Sequence, residues 1–245
     1  MSDFDWSIQI LLFGILTITA EILGTIGGFG SSLFAVSLLQ LFFDFSSVLI
    51  LTGLLHVFSN TSKIAMFWKS IDWKLTVWLG ISSVIMALVG ARITTLVNFH
   101  YSKVVLGVFL IAISILFLVK PKLSLTPNPG NSIAGGALSG FLAGFVGTGG
   151  AIRGLVLASF NLEKSLLVGT SAAIDFGVDL TRTAIYFQNG FFRQEMWMYI
   201  PVMFVASFVG TYVGKKLLVK LPQELFRKVL LSLVGIMGAL MLFKV

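Results

Sequence analysis

The 245-residue sequence has no cysteine. That excludes a disulfide framework and a thiolate metal site. It has little charge: Asp, Glu, Lys and Arg make up 11% of residues, where soluble domains carry about 25%. Acidic residues are scarcer than basic ones, 10 against 17, and there are two histidines. The N-terminus, MSDFDW, lacks the basic segment and small-residue cleavage site of a removable signal peptide. The first apolar run is therefore read as part of the mature chain. No Gly-Lys-Ser/Thr follows a glycine cluster, and no dinucleotide fingerprint is present, so nothing suggests a nucleotide-hydrolysing motor. No HExxH or other metal-ligand set occurs, and no recognisable motif links a serine to a histidine. The expectation is a chain that is not an enzyme and uses no metal or cofactor.

What is present is apolar. Hydrophobic residues are 57% of the chain, and the mean hydropathy is +0.99. Such a chain cannot cover itself with polar surface, so it belongs in a lipid bilayer. The net charge of +7 does not point to nucleic acid, because the cations gather in short loops between apolar runs, where they set topology. The expected class is an all-α polytopic membrane protein.

Ten apolar runs can be marked, at 8–23, 31–43, 46–67, 75–97, 104–119, 132–146, 151–160, 165–187, 196–214 and 229–243. A straight membrane helix needs about 20 residues, and 31–43, 132–146 and 151–160 fall short. The first pair and the sixth–seventh pair are each joined only by glycines, and read as helix hairpins or broken helices. PKLSLTPNPG (121–130) is the one obvious linker. It divides a first membrane repeat (1–120) from a second (131–245).

The halves echo each other. A shift of 120 residues lays Gly24, Gly27 and Gly30 on Gly144, Gly147 and Gly150, and a shift of 119 lays Asn60 on Asp179, Lys63 on Arg182 and His56 on Asp175. Lysines follow the third, fifth, seventh and ninth runs, so the positive-inside rule puts both termini outside. The halves then enter the membrane from opposite sides. That is an inverted-topology repeat, each copy with a glycine-broken hairpin and three spanning helices, and such plans hold substrate near the midplane.

The glycine clusters GTIGGFGSS (24–32) and GFVGTGGAIRG (144–154) each open a short segment. A helix break there exposes amide groups that suit an anion, which makes Gly27, Gly28, Gly30, Gly147, Gly149 and Gly150 candidate binding positions. Close helix packing is the alternative use of such small residues. Arg153 adds a cation in the first turn after Gly150. It either meets an anion or pairs internally with Glu21, Asp175 or Asp179. Glu21, whose repeat mate is Phe141, is the counter-ion proposed for Arg153.

Two polar stripes cross the middle of apolar runs. Ser171, Asp175, Asp179 and Arg182 are spaced by four, four and three, as are Thr52, His56, Asn60 and Lys63. Each set occupies an arc of roughly 80° on a helix. The stripes read as a cavity lining, with Thr52, Asn60, Thr170 and Ser171 as neutral donors. Asp175 or His56 carries a coupling proton, and Asp179 and Arg182 neutralise each other.

Four features together resemble the sulfite exporter TauE/SafE family of membrane permeases. They are GTIGGFG at 24–30, GFVGTGG at 144–150, GTSA at 169–172 and the two-repeat order. The likeness spans nearly the whole chain. It implies a permease of the inner (plasma) membrane for a small anion, sulfite, sulfoacetate or another organosulfonate. The family's glycine motif is commonly followed by a proline, absent from both copies here, and the set Arg153, Asp175, Asp179 and Arg182 is more charged than usual. The resulting expectation is a secondary transporter with alternating access around a midplane site, with the proton as the candidate coupling ion. A passive anion channel and a structural or assembly partner of another membrane protein remain alternatives, and a homo-oligomer is open.

Overall fold

The computed structural model describes residues 6–28, 30–39, 42–93, 107–108, 111–112, 114–116, 118–119 and 125–243. The fifth apolar run, and the ends of the fourth run and of the linker's first half, fall largely outside them. The described residues are mostly helical, with no strand among them. In hydrocarbon, a helix is the one local structure that satisfies its own backbone.

The α-helices with described bounds are α1 (Trp6–Gly27), α2 (Ser32–Leu39), α3 (Phe45–Phe67), α4 (Trp73–Ile93), α5 (Pro129–Val146), α6 (Gly150–Ser159), α7 (Lys164–Gln188), α8 (Tyr199–Lys220) and α9 (Gln223–Phe243). Among the described residues, four segments are long and apolar enough to cross a membrane: Gln9–Gly27, Phe45–Ser70, Trp73–Ile93 and Gln194–Lys220. At 25 residues, α7 is also long enough, but its polar stripe lowers its hydropathy. The 8 residues of α2 and the 10 of α6 reach only ~12–15 Å, about half of the hydrocarbon layer.

Local chemistry sets the helix ends. Asp44 caps α3, its carboxylate accepting from Ser47 Oγ at 2.6 Å and Ser47 N at 3.3 Å. Asn128 caps α5, accepting from Asn131 N at 2.8 Å, and Pro129 fills the first helical position. The linker read at 121–130 thus loses its last two residues to α5. Glu163 caps α7 through Ser165 N at 3.1 Å and Leu166 N at 3.3 Å.

Each glycine-joined pair brings the chain back to where it started. After α2, Phe43 packs on Phe13 of α1 with ring centroids 6.2 Å apart. In the second half, Leu125 N, just before α5, donates to Ser159 O at the end of α6 at 2.8 Å.

The packing order places α3 and α7 in the middle. They lie against each other, with α4 also on α7 and α8 also on α3. The first helix of each half packs on the fourth helix of the other: α5 on α4, and α1 on α8. Glycines make these contacts close. A Cβ at Gly136, Gly140 or Gly144 would run into the carbonyls of Leu79, Ser83 and Ala87, and one at Gly210 or Gly214 would meet Glu21 or Thr25. Small residues every fourth position allow such approach in membranes. Ser83 Oγ adds a bond to Gly136 O at 2.9 Å.

Candidate functional site

Both glycine clusters make left-handed turns. Gly28, Gly30 and Gly147 have φ of 77°, 84° and 79°, a region that glycine enters without penalty. These turns end α1 and α5 inside the protein and start α2 and α6. Beside them lies a small cavity lined by turn residues Gly30, Gly147, Gly149 and Gly150, and by His56, Asn60 and Lys63 of α3. Asp175, Asp179 and Arg182 of α7 complete its charged wall. The cavity volume is about 10 Å³, room for about one water molecule.

The two stripes do face one interior, and their ionised groups form three pairs. Asp179 Oδ1 accepts from Arg182 Nε at 2.6 Å, and Asp179 Oδ2 accepts from Asn60 Nδ2 at 2.7 Å. Arg182 also reaches Gly147 O at 3.5 Å and His56 Nδ1 at 2.9 Å. This pair joins α7 to α3 and to the glycine turn. The second pair is Lys63 with Glu21 at 3.0 Å, and Glu21 accepts further bonds from Ser31 and Ser59. Both pairs are buried, with their carboxylates supplied with several donors.

The third pair differs. Arg153 Nη2 meets Asp175 Oδ1, and Ser171 Oγ donates to Asp175 Oδ2 at 3.3 Å. Arg153 is fully buried, yet its Nε and Nη1 have no hydrogen-bond partner. A guanidinium carries five N–H donors, and leaving them unmade in a dry interior is costly.

The structure redistributes several expected roles. Glu21 pairs with Lys63, so it is not the counter-ion of Arg153, which pairs with Asp175; the carboxylate reaches Ser59 and Lys63 of α3 instead. Thr52 Oγ1 bonds back to Val48 O at 2.7 Å in its own helix. Thr170 Oγ1 accepts from Asp72 N at 2.9 Å and fastens the start of α4. Gly27, Gly28, Arg153 and Ser171 are not among the residues that line the cavity; Arg153 and Ser171 reach it through Asp175, and a Cβ at Gly28 would meet Phe226 and Leu167. Ser31, Ser32 and Ala143 also line the cavity; Ser31 and Ser32 are the last two residues of the first glycine cluster, the one signal the sequence offers for them. Tyr186, also unremarked, donates to Gly144 O at 2.6 Å one turn before the second glycine bend.

The family model for the sulfite exporter TauE/SafE matches residues 12–241. The chain belongs to the TauE/SafE family. A probable membrane transporter protein of Methanocaldococcus jannaschii is 26% identical to it, over 98% of each chain. No solved structure matches it. With several apolar helices and a transporter family's sequence, this TauE/SafE member is a multi-pass membrane protein.

Proposed function

We propose that the chain is a secondary transporter for a small anion, a sulfur oxyanion or organosulfonate of the sulfite or sulfoacetate kind. The anion binds at the glycine turns between two inverted repeats, residues 1–120 and 131–245, in the inner (plasma) membrane with both termini outside. The exchange of helix partners between halves, α1 on α8 and α5 on α4, supports the repeat reading.

The observation that carries the site is Arg153, buried behind the cavity wall with two nitrogens unpartnered and one ion pair to Asp175, a carboxylate of that wall. Of the three buried pairs, this is the one whose cation has nitrogens without a partner. An arriving anion takes the guanidinium, with the N-terminal amides of α6 beside it. Asp175 is then left without its cation. A buried carboxylate in that position takes up a proton, so anion and proton enter together and the interior charge stays balanced. His56 is the other titratable group at hand. A cavity with space for about one water must widen to admit the anion. That supports alternating access over a standing pore.

Uptake of labelled sulfite and sulfoacetate into proteoliposomes, with and without a pH gradient, tests this. Wild type should respond to the gradient, Arg153→Ala should lose uptake, and Asp175→Asn should lose its pH dependence. Both variants moving every tested anion at the wild-type rate would end the assignment. A rate indifferent to the gradient in wild type would favour the passive channel.

A further inference from the structure

The imidazole of His56 is held at one nitrogen only. Arg182 Nη2 lies 2.9 Å from Nδ1. A guanidinium has no lone pair to offer, so Nδ1 accepts, and an accepting Nδ1 bears no proton. The ring's single proton then sits on Nε2. Arg182 cannot readily turn away, because Asp179 holds its Nε at 2.6 Å and Asn60 holds Asp179 at 2.7 Å. A chain of three contacts therefore fixes the tautomer. His56 is 5% exposed and lines the cavity, and its Nε2 is buried without a partner.

We infer that His56 is a neutral, fixed hydrogen-bond donor to the carried anion through Nε2–H, and that it does not carry the coupling proton. This rests on the anion-binding reading above. The charges around the ring agree with it. Arg182 faces Nδ1 from α7, Lys63 stands on the same helix, and Arg153 of α6 is paired with Asp175 in the same cavity wall. The Asp179 carboxylate, 3.9 Å from Nδ1, is already engaged by Arg182 and Asn60. Asp175 is engaged by Arg153. A second proton on the ring would have to point at the Arg182 guanidinium. The division of work is then clear: Arg153 supplies charge, His56 supplies one directed N–H, and the proton falls to Asp175.

Nitrogen-15 NMR of histidine-labelled protein tests the tautomer directly. With two histidines in the chain, His100→Gln leaves His56 as the one imidazole. Its ring should carry a proton on Nε2 alone from about pH 5 to 8, and added sulfite should shift the Nε2 signal. A proton on Nδ1, a doubly protonated ring in that range, or signals indifferent to sulfite would each overturn the inference. In proteoliposomes, His56→Gln keeps an N–H near the Nε2 position but cannot titrate. It should retain the wild-type pH profile of uptake, measured with methanesulfonate because its charge does not change with pH. His56→Leu should raise KM about 10- to 100-fold with a smaller effect on kcat. A His56→Gln profile that has lost an ionisation would assign the proton to His56 and overturn the inference. If wild type carries neither anion while the Nε2 signal still moves with sulfite, the transport reading fails and the donor role stands.

Discussion

Asn60 donates to Asp179 at 2.7 Å across 119 residues of sequence. The two hold matching places in the stripes of α3 and α7, so the stripes touch there. Asp179 also anchors Arg182. Removing the carboxylate strands a buried cation, and Asp179→Ala should cost ~3–5 kcal/mol. Thermal unfolding in detergent would read this as a large drop in melting temperature. The paired replacement Asp179→Leu with Arg182→Met should recover much of it, since an apolar pair often replaces a buried ion pair without loss.

Gly30 and Gly190 separate strain from site. Both have positive φ, 84° and 72°. A Cβ at Gly30 would stand 4.0 Å from Asp175 Oδ2, while one at Gly190 meets nothing within 4 Å. Either alanine variant should cost ~1–2 kcal/mol of stability. Only Gly30→Ala should also depress transport, and equal activity of the two variants would remove Gly30 from the site.

The α4–α5 contact depends on Gly140. A Cβ there would enter the Ser83 backbone, so Gly140→Ala should destabilise by ~1–3 kcal/mol. Gly130→Ala, at the start of the same helix, places its Cβ 3.4 Å from Asn128 Oδ1 and should melt close to wild type.

Asp44 gives a pH dependence outside the membrane spans. Its slight burial pulls the carboxyl upward, but hydrogen bonds from Ser46 and Ser47 and the charge of Arg193 outweigh it. They hold the group below its ordinary 3.8. A depressed carboxyl contributes stability that is fully present above the unfolded value and is lost as pH falls through the lower folded one. The melting-temperature deficit of Asp44→Asn should therefore be constant at neutral pH and shrink as pH drops below 3.8. Arg193 lies 3.1 Å from Asp44, and both are well exposed, so added salt should also reduce the deficit.

How much of this was written in the sequence depends on the range of the physics. The span of α7 was read as 165–187 and found as Lys164–Gln188, because polar groups every fourth residue in an apolar run have few other uses. The glycine turns were legible for the same local reason, since clusters without a polar loop need an unusual backbone. Partner choice was not legible. Glu21 sits on α1, and whether it meets Arg153 or Lys63 depends on how α1 lies against α3, which spacing along one helix does not encode. Thr52 and Thr170 looked like Ser171 in sequence, but each spends its hydroxyl on a backbone group. The glycines at 136, 140 and 144 differ from Gly147 only in what packs against them. The sixth run reads as 132–146, three residues short of the start of α5 at Pro129, because Pro-Gly resembles linker and the cap from Asn128 is a matter of backbone geometry.

The crossed pairing of α1 with α8 and α5 with α4 also bears on how the chain is made. During synthesis α1 enters the bilayer first, and its partner emerges only after most of the chain has been translated. Until then Glu21 has Lys63 and the serines of its own half for company, and the glycine-lined seam that will seat against α1 does not yet exist. The early helices must wait in lipid as separate spans, and the site can close only when the last third of the protein arrives. A chain cut in the loop before α5 would leave two fragments, each missing the helix against which its own first helix packs. Neither is a folding unit alone, and co-expression should be needed to restore the molecule.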